Sequence, residues 1–439
     1  MSEPSSSQGG PQDLTSLAVD RAVASNTDNT NASPSPSPAD LDASKTTIEL
    51  TTKPRSVPLP NAPEIASVTT ATDHMITVHW TSESGWSAPK LKPYGPLSLM
   101  PTASVLHYAT ECFEGTKAYR GHDGQLRLFR PSRNTARMLI SATRIALPGF
   151  NPDELEKLIK LLVSVDGPKW LPRSAPGTFL YLRPTMIATD PGLSLHTPLE
   201  ALLYIILCPF PSTLKASTPT KPGLRLLASR EDSIRAWPGG LGFAKVGANY
   251  GPSVLAQGEA RQRGYDAVLW LFGPDALVTE AGTSNFFVVW RKKGEAGETS
   301  CLELVTAPLG DKVILDGVTR GSVLELARER LVSPNAPGHV ECLRIVERSF
   351  TMKEVEDASQ EGRLVEAFVA GTAYFITPVS EIHFRGTTIE VPVAREGDKD
   401  QSMGPYARLF RTWLEEIIYG RKAHKWGVVV DEAPGAVNK

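Results

Sequence analysis

The sequence is poor in cysteine, has no long apolar run and carries no excess of either charge. Its 439 residues include four cysteines that are far apart and match no metal-ligand spacing, so we expect reduced intracellular thiols and no bound metal. The longest apolar stretch, "LEALLYIILCPF", is shorter than the roughly 20 residues that span a bilayer. With 46 basic and 48 acidic residues, the net charge favours neither nucleic acid nor an anionic membrane as a partner.

The first 57 residues lack aromatic side chains and contain the repetitive stretch "SPSPSPAD". A segment with so little to bury does not form a core, so we predict that residues 1–57 are disordered. Seven acidic residues face two basic ones before position 50, whereas a mitochondrial presequence is rich in arginine and poor in acids. The N-terminus therefore favours a cytoplasmic location.

Beyond residue 57 the pattern is that of an α/β protein with two domains. Residues 209–223 are rich in Pro, Ser and Thr and are predicted to link a small N-terminal α/β domain (58–208) to a larger domain (224–426). Residues 427–439 are predicted to form a tail. Strands are indicated by alternating or continuous apolar character in "MITVHW", "FLYLRPTMIA", "LEALLYIIL", "AVLWLF" and "NFFVVWRK". Helices are indicated by apolar residues at helical spacing in "SRNTARMLISATRIAL", "PDELEKLIKLLVSV" and "YARLFRTWLEEIIYG".

The segment "GGLGFAKVGANYGPSV" surrounds Lys245 with five glycines and places Tyr250 five positions later. A neutral lysine amine forms an imine with a carbonyl, and pyridoxal phosphate (PLP) is a carbonyl cofactor of this kind. Glycines would let a flat ring lie against the backbone, and Tyr250 could hydrogen-bond the phenolic oxygen of that ring. An exposed lysine in a glycine-rich surface turn explains this segment equally well.

A PLP site makes further demands that other segments meet. A carboxylate must face the pyridine nitrogen, and "LVTEAGTSNFF" offers Glu280 at a turn between two strands. The phosphate needs amide donors at a helix N-terminus, which "LDGVTRGSVLELA" supplies at Val318 and Thr319. Arg137 is a candidate cation for the same phosphate. Taken singly, these are also typical of a solvated strand end, an ordinary helix start and a surface arginine.

Six segments in one order are more specific than any of these features alone. They resemble the branched-chain amino acid aminotransferases, which are PLP enzymes of fold type IV, and the resemblance runs from about residue 72 to about residue 425. The segments are "LHYATECFEGTKAYRG", "FLYLRPTMIATDPGLSL", "RAWPGGLGFAKVGANYG", "TEAGTSNFF", "LDGVTRGSVLELA" and "AFVAGTAYFITPV". The resemblance implies a larger domain with a β-barrel-like core, and a homodimer.

The resemblance also implies a role for each matching residue. Lys245 is similar to the lysine that links to PLP and later moves the substrate's α-proton, Glu280 to the carboxylate at the ring nitrogen, and Tyr250 to the tyrosine at the ring oxygen. The phosphate-binding positions correspond to Arg137, Val318, Thr319 and Thr372. The substrate-pocket positions correspond to Tyr108, Phe113, Lys117, Tyr181, Arg183, Thr283, Thr372 and Ala373. Phe113 is expected inside an apolar helix, and Arg183 is expected to meet the second carboxylate of glutamate or 2-oxoglutarate.

The implied activity is amino-group exchange between Leu, Ile or Val and 2-oxoglutarate by a ping-pong mechanism. Two aromatic residues that the family usually has near "TDHM" are small here, at Ser67 and Ala71, and the interdomain loop is also unusual. These departures leave open the same chemistry on another aliphatic or aromatic 2-oxo acid in specialised metabolism.

Three other functions stay open at this stage. A D-amino acid transaminase or a PLP lyase would share the fold, although "YLRP" and "HYATECFEG" fit branched-chain enzymes better. A catalytically inactive relative that binds a protein partner would not need to retain Lys245, Glu280 and Tyr250. A nucleotide-binding enzyme is disfavoured because "GGLGFAKVG" lacks the order of a P-loop.

Overall fold

The computed structural model describes residues 38–60, 62–211, 223–294, 302–333, 340–373, 375–393 and 402–433. The described residues from Ala39 onward form one compact unit. Among the described residues, none of the helices combines the length and the apolar character that crossing a membrane requires. The predicted linker falls largely on residues 212–222, which lie outside the described part.

A ten-stranded sheet is built mainly from the first half of the chain. Its strands are β1 (Thr47–Ile48), β2 (His74–Thr81), β3 (Gly85–Trp86), β4 (Lys90–Pro93), β5 (Glu111–Phe113), β6 (Thr116–Arg120), β7 (Leu126–Phe129), β8 (Phe179–Ala188), β9 (Glu200–Pro209) and β19 (Gly427–Val430). The strand order is β1-β4-β2-β9-β8-β6-β7-β19, with β3 on β2 and β5 on β8. In the antiparallel β8–β9 pair, Arg183 lies opposite Ile206.

Four helices accompany this sheet. They are α1 (Pro63–Ala66), α2 (Val105–Tyr108), α3 (Pro131–Arg144) and α4 (Pro152–Trp170). Helix α4 begins where the side chain of Asn151 accepts a hydrogen bond from the amide of Asp153, with Pro152 at the first helical position. Its buried residues recur at helical spacing and share one hydrophobic core with the sheet.

The second half of the chain forms a nine-stranded sheet. Its strands are β10 (Leu224–Ala228), β11 (Ala267–Phe272), β12 (Leu277–Ala281), β13 (Ser284–Trp290), β14 (Leu302–Thr306), β15 (Leu343–Glu347), β16 (Leu364–Gly371), β17 (Phe375–Phe384) and β18 (Thr387–Glu390). Six of them close into a ring, because the path β12-β11-β10-β17-β16-β13 ends on a pairing of β13 with β12. This closed sheet confirms the predicted barrel-like core.

Four further helices lie in the described residues of this half. They are α5 (Ser253–Gln262), α6 (Val318–Arg330), α7 (Met352–Gln360) and α8 (Pro405–Ile418). Short 3-10 turns occur at Ala43–Lys45 and Gly247–Asn249. Helix α7 begins with a reciprocal capping box between Thr351 and Glu354.

Both ends of the folded region differ from the prediction. Residues 38–57 were expected to be disordered, but they contain β1, and the side chain of Leu41 is buried in the core of the first sheet. Residues 427–430 were expected to begin a tail, but they form β19 and pair with β7. Short edge strands such as these depend on pairing with distant residues, which local composition does not reveal.

Two local expectations are also corrected. Phe113 lies on strand β5 rather than in a helix, because it pairs with Thr185 of β8. Cys342 is disulfide-bonded, whereas Cys112 and Cys208 are free thiols. The expectation of reduced cysteines is therefore wrong for Cys342, since separation along the chain says nothing about distance in the fold. Cys301 lies outside the described residues.

Candidate active site

The backbone of Lys245 is held between the first sheet and a helix. Its carbonyl accepts a hydrogen bond of 3.0 Å from the amide of Phe113 on β5. Its own amide donates a 2.8 Å hydrogen bond to the hydroxyl of Ser141 on α3. The next residue, Val246, forms a β-bridge with Cys112. Lys245 thus emerges from a segment that is fixed on two sides.

Two of the glycines around Lys245 lie in close contact with other parts of the chain. A Cβ atom at Gly242 would overlap the carbonyl of Val313, and one at Gly247 would overlap the carboxylate of Glu111. The side chain of Asn249 closes the turn by donating hydrogen bonds to the carbonyls of Leu241 (2.7 Å) and Ala244 (2.9 Å). The expectation of a ring lying against bare backbone is therefore incomplete, because two of the glycines admit other parts of this chain.

The Lys245 amine lies against two aromatic rings. Its Nζ is 3.1 Å from the hydroxyl of Tyr250 and 4.8 Å from the centre of the Phe113 ring. The rings of Phe113 and Tyr250 are themselves in contact, with centres 5.1 Å apart. The half-buried lysine is thus directed at Tyr250 and not into bulk water, which excludes the alternative of an exposed surface lysine.

Glu280 is a buried carboxylate on β12 with donors on both oxygens. Its Oε1 accepts hydrogen bonds from Asn285 Nδ2 (3.0 Å) and from the amide of Leu315 (3.2 Å). Its Oε2 forms an ion pair with Arg235. Burial raises the pKa of the Glu280 carboxyl above its usual value, and the charge of Arg235 is the strongest influence opposing that rise.

One cavity connects the tyrosine to the carboxylate. Its lining includes Arg235, Gly242, Ala244, Asn249, Tyr250, Ser253, Glu280, Gly282, Thr283 and Leu315. Tyr250, whose hydroxyl contacts the Lys245 amine, and Glu280 therefore line the same cavity. Thr283 joins this lining from the hairpin between β12 and β13.

Helix α6 supplies amide donors beside a buried arginine. Gly317 precedes the helix and no side chain caps it, so the first amides, including those of the buried Val318 and Thr319, have no partner within the helix. Arg137 reaches this point from α3 and donates a 2.8 Å hydrogen bond to the carbonyl of Asp316. Together these groups form a positively polarised site suited to an anion.

Glu114 fixes the position of Arg137. The carboxylate accepts hydrogen bonds from Arg137 Nε (2.6 Å) and Nη2 (2.8 Å), and a further one of 2.9 Å from Asn134 Nδ2. Burial alone would raise the pKa of Glu114, but Arg137 holds it below its usual value. This two-bond pair keeps the guanidinium in one orientation beside α6.

Arg183 and two aromatic residues extend the site along the first sheet. The guanidinium carbon of Arg183 lies 4.5 Å from the ring centre of Phe113, and Arg183 Nη2 donates a 3.0 Å hydrogen bond to Tyr181 Oη. Its buried Nε has no hydrogen-bond partner among the described residues. Tyr181 stacks on Phe210, with ring centres 5.1 Å apart. Arg183 is therefore a cation with donor capacity to spare beside an apolar wall.

Of the remaining predicted residues, Lys117 and Thr372 contact residues of the first half of the chain, whereas Tyr108 is turned away from Lys245. Lys117 lies opposite Tyr181 in the β6–β8 pair, and its Nζ is 4.0 Å from the centre of the Phe179 ring. Thr372 follows β16 and donates a 3.2 Å hydrogen bond to the carbonyl of Gly115, with Ala373 next to it. Tyr108 is exposed, and its hydroxyl donates to the carbonyl of Leu193 and not toward Lys245.

Sequence reasoning missed several members of this site. Glu114, Arg235, Ser141 and Phe210 were not singled out, although each contacts a residue that was. Glu114 directly follows Phe113 and could have been suspected as the partner of a buried arginine. Arg235 gave no local signal, because its partner Glu280 is 45 positions away.

The charges of the site match the parts of PLP. A phosphate fits the uncapped start of α6 beside Arg137, a protonated ring nitrogen fits the buried Glu280, and an aldehyde fits the amine of Lys245. The residues present therefore fit this cofactor.

Comparison with known proteins identifies the family. Residues 111–382 match the sequence model of the class IV aminotransferases. The cytosolic branched-chain-amino-acid aminotransferase of Saccharomyces cerevisiae is 46% identical over 393 residues, which is 89% of this chain and 98% of that protein. The mitochondrial enzyme of Rattus norvegicus is 42% identical, over 86% of this chain and 89% of its own length.

Solved structures agree on the fold. The branched-chain aminotransferase of Thermoproteus uzoniensis, solved with norvaline, has a TM-score of 0.59 and 26% identity, over 80% of this chain and 99% of its own. A bacterial relative, the branched-chain amino acid aminotransferase of Escherichia coli, has a TM-score of 0.60 and 23% identity, over 83% and 99% of the two chains. The sequence match and the shared fold lead to one conclusion: the chain belongs to the class IV aminotransferase family.

Proposed function

We propose that this protein is a PLP-dependent aminotransferase that exchanges the amino group between branched-chain L-amino acids and 2-oxoglutarate. The observation that carries the proposal is the hydrogen bond between the Lys245 amine and Tyr250, beside a cavity that also reaches the buried Glu280. The names of the relatives support the substrate class. They include both cytosolic and mitochondrial proteins, and the acidic N-terminal 50 residues favour the cytoplasm here.

Lys245, Tyr250 and Glu280 each have a separate role in the proposed reaction. When bound, PLP supplies an aldehyde that captures the substrate amine and a ring that accepts electrons from its α-carbon. The Lys245 amine holds the cofactor and then moves the α-proton as a general base and acid. Tyr250 orients that amine by its hydrogen bond. Glu280 keeps the ring nitrogen protonated from the far end of the cavity.

The phosphate and carboxylate groups are bound by separate donors. We assign the phosphate to Arg137, the first amides of α6 and Thr372, and the substrate's α-carboxylate to the amides of Thr372 and Ala373. Because Glu114 holds Arg137 by two hydrogen bonds, the cation needs no rearrangement to meet the phosphate.

The side-chain pocket accepts two kinds of substrate in alternate half-reactions. Phe113 and Tyr181 provide apolar surface for an aliphatic side chain, and Arg183, packed on Phe113, provides a cation for the second carboxylate of 2-oxoglutarate. Ser67, in place of a usual aromatic residue, is exposed, and Ala71 is buried. These two small residues support the alternative of a larger aliphatic or aromatic substrate.

Lys245→Ala is expected to bind PLP without a covalent link and to lose transamination, because the variant lacks the amine that captures the cofactor and moves the proton. Turnover of L-leucine with 2-oxoglutarate is the measurement, with Lys312→Ala as a matched control outside the cavity. A Lys245→Ala enzyme that turns over leucine at the parental rate would refute the assignment.

For the wild-type protein, turnover is compared for leucine, longer aliphatic, aromatic and D-amino acids as amino donors. This panel distinguishes a branched-chain aminotransferase from an enzyme for another aliphatic or aromatic substrate and from a D-amino acid transaminase.

Arg183→Met is expected to raise the KM for 2-oxoglutarate by roughly 10- to 100-fold, the value of one lost charge-assisted hydrogen bond of about 1.5–3 kcal/mol. Methionine keeps most of the packing on Phe113, so the KM for leucine should change far less. Arg183→Lys retains the charge and serves as the control. Equal losses for leucine and 2-oxoglutarate would contradict the proposed role.

Burial lowers the pKa of the Lys117 amine from 10.5 to about 8. The folded protein therefore binds fewer protons than the unfolded chain between pH 8 and pH 10.5, so this group makes stability rise with pH across that window. Below pH 8 the full free-energy cost of burying the charged Lys117 amine is present, at most about 3 kcal/mol. Lys117→Met should be more stable than the wild type at pH 7, and denaturant unfolding should show the difference shrinking toward pH 10. A difference independent of pH would contradict this account.

We also propose that the protein is a homodimer. Tyr108 donates to the carbonyl of Leu193, and the Gly192 amide donates to the carbonyl of Thr102, so two surface segments lie side by side. Their exposed apolar residues are Met100, Leu106, Tyr108, Leu193 and Leu195. Several exposed apolar side chains on neighbouring segments are typical of a subunit interface. Light scattering should give twice the 47.5 kDa of one chain, and Leu195→Glu should lower that mass; a monomeric wild type would overturn the assignment.

A further inference from the structure

We propose that Arg235 is a positioning residue that keeps the Glu280 carboxylate ionised and so keeps the proton on the ring nitrogen of bound PLP. The inference rests on the proposed function, because it concerns the cofactor that Glu280 would face. Arg235 belongs to no helix or strand, and its hydrogen bond to Glu280 on β12 is donated by its side chain.

The geometry shows a buried and well-anchored pair. Arg235 and Glu280 expose only 11% and 5% of their side chains. Arg235 Nη2 donates one hydrogen bond to Glu280 Oε2 and another, of 3.2 Å, to the carbonyl oxygen of Val313. These two bonds fix the position of the guanidinium. The buried Nε of Arg235 has no hydrogen-bond partner among the described residues. The arginine is thus held in place without being neutralised by a second carboxylate there.

The other donors to Glu280 leave room for a ring N–H. Asn285 and the amide of Leu315 both donate to Oε1, so that oxygen already has two partners. Among the described residues, Arg235 is the one hydrogen-bond donor to Oε2. A carboxylate oxygen can accept two hydrogen bonds. A ring nitrogen can therefore share Oε2 with the arginine.

Electrostatics explains why an arginine is needed at this point. A buried carboxyl and a pyridine nitrogen can share one proton as an ion pair or as a neutral pair, and loss of solvation favours the neutral pair. The neutral pair leaves the ring uncharged and a poor acceptor of electrons. A cation that touches the carboxylate, and lies farther from the nitrogen, stabilises the ion pair more than it repels the ring. Arg235 touches the carboxylate, and a ring nitrogen that shared Oε2 with it would lie farther from the guanidinium than Oε2 does.

No other described cation substitutes for this contact. Lys245 and Arg137 also favour ionised Glu280, but their influence on its pKa is weaker than that of Arg235, and neither donates a hydrogen bond to Glu280. Uncharged donors such as Asn285 orient the carboxylate without supplying charge. Replacement of Arg235 by an uncharged residue should therefore shift the shared proton from the ring nitrogen to the Glu280 carboxylate, and not only make the carboxylate more mobile.

The test uses PLP labelled with ¹⁵N in the ring, bound to the full-length protein. The ¹⁵N chemical shift reports directly whether the ring nitrogen carries a proton. We expect the wild type and Arg235→Lys to give the protonated shift. Arg235→Met and the more polar Arg235→Gln should move to the unprotonated shift, as should Glu280→Gln, which serves as the reference for a site without the carboxylate. In parallel, kcat for leucine should fall in Arg235→Gln and be partly rescued in Arg235→Lys.

A protonated shift in either uncharged variant, with PLP bound, would overturn the inference. Loss of folding or of PLP binding in both uncharged variants, while Arg235→Lys is normal in both, would overturn it as well, because the charge would then be needed for structure and not for the proton. Failure of the wild-type protein to bind PLP would instead contradict the proposed function, so the two failures are distinguishable.

Discussion

The hydrogen bonds that fix the backbone of Lys245 are the constraint on which the site depends. They join a loop of the second half of the chain to Phe113 on β5 and to Ser141 on α3, both from the first half. This connection places one amine at the meeting point of two sheets, against Phe113 and Tyr250. A second link between the two halves lies at the start of α6, where Arg137 of α3 donates a hydrogen bond to the carbonyl of Asp316.

Charge inside the site is organised as buried pairs. Glu114 with Arg137 and Glu280 with Arg235 each place a carboxylate and a guanidinium together with little exposure. A buried pair is a costly source of stability, because desolvation offsets most of its attraction. In the proposed function its value is orientation: one arginine would be held for a phosphate and one carboxylate for a ring nitrogen. Arg183, whose Nε has no described partner, is proposed as the cation for the substrate.

The sequence predicted long elements and the residues of short motifs well. Strands β8 and β11 were predicted with the bounds that the structure has, because their apolar patterns are continuous and their limits are marked by turn residues. Tyr250 was singled out together with Lys245 because both lie in one short segment, and the structure adds the hydrogen bond between their side chains. Features that depend on distant partners were missed, including β1, β19, the ion pair of Arg235 and the disulfide of Cys342. Phe113 was assigned to a helix because three residues of strand carry too little periodicity to be recognised.

The central claim is that Lys245, and no other lysine, carries the cofactor. Lys117 is the informative rival, since burial lowers the pKa of its amine to about 8 and it lies opposite Tyr181 in the β6–β8 pair. Borohydride reduction of the PLP-loaded protein, followed by peptide mass mapping, identifies the modified amine directly. The account predicts one phosphopyridoxyl group on the peptide that contains Lys245. A modified Lys117 with an unmodified Lys245 would contradict it.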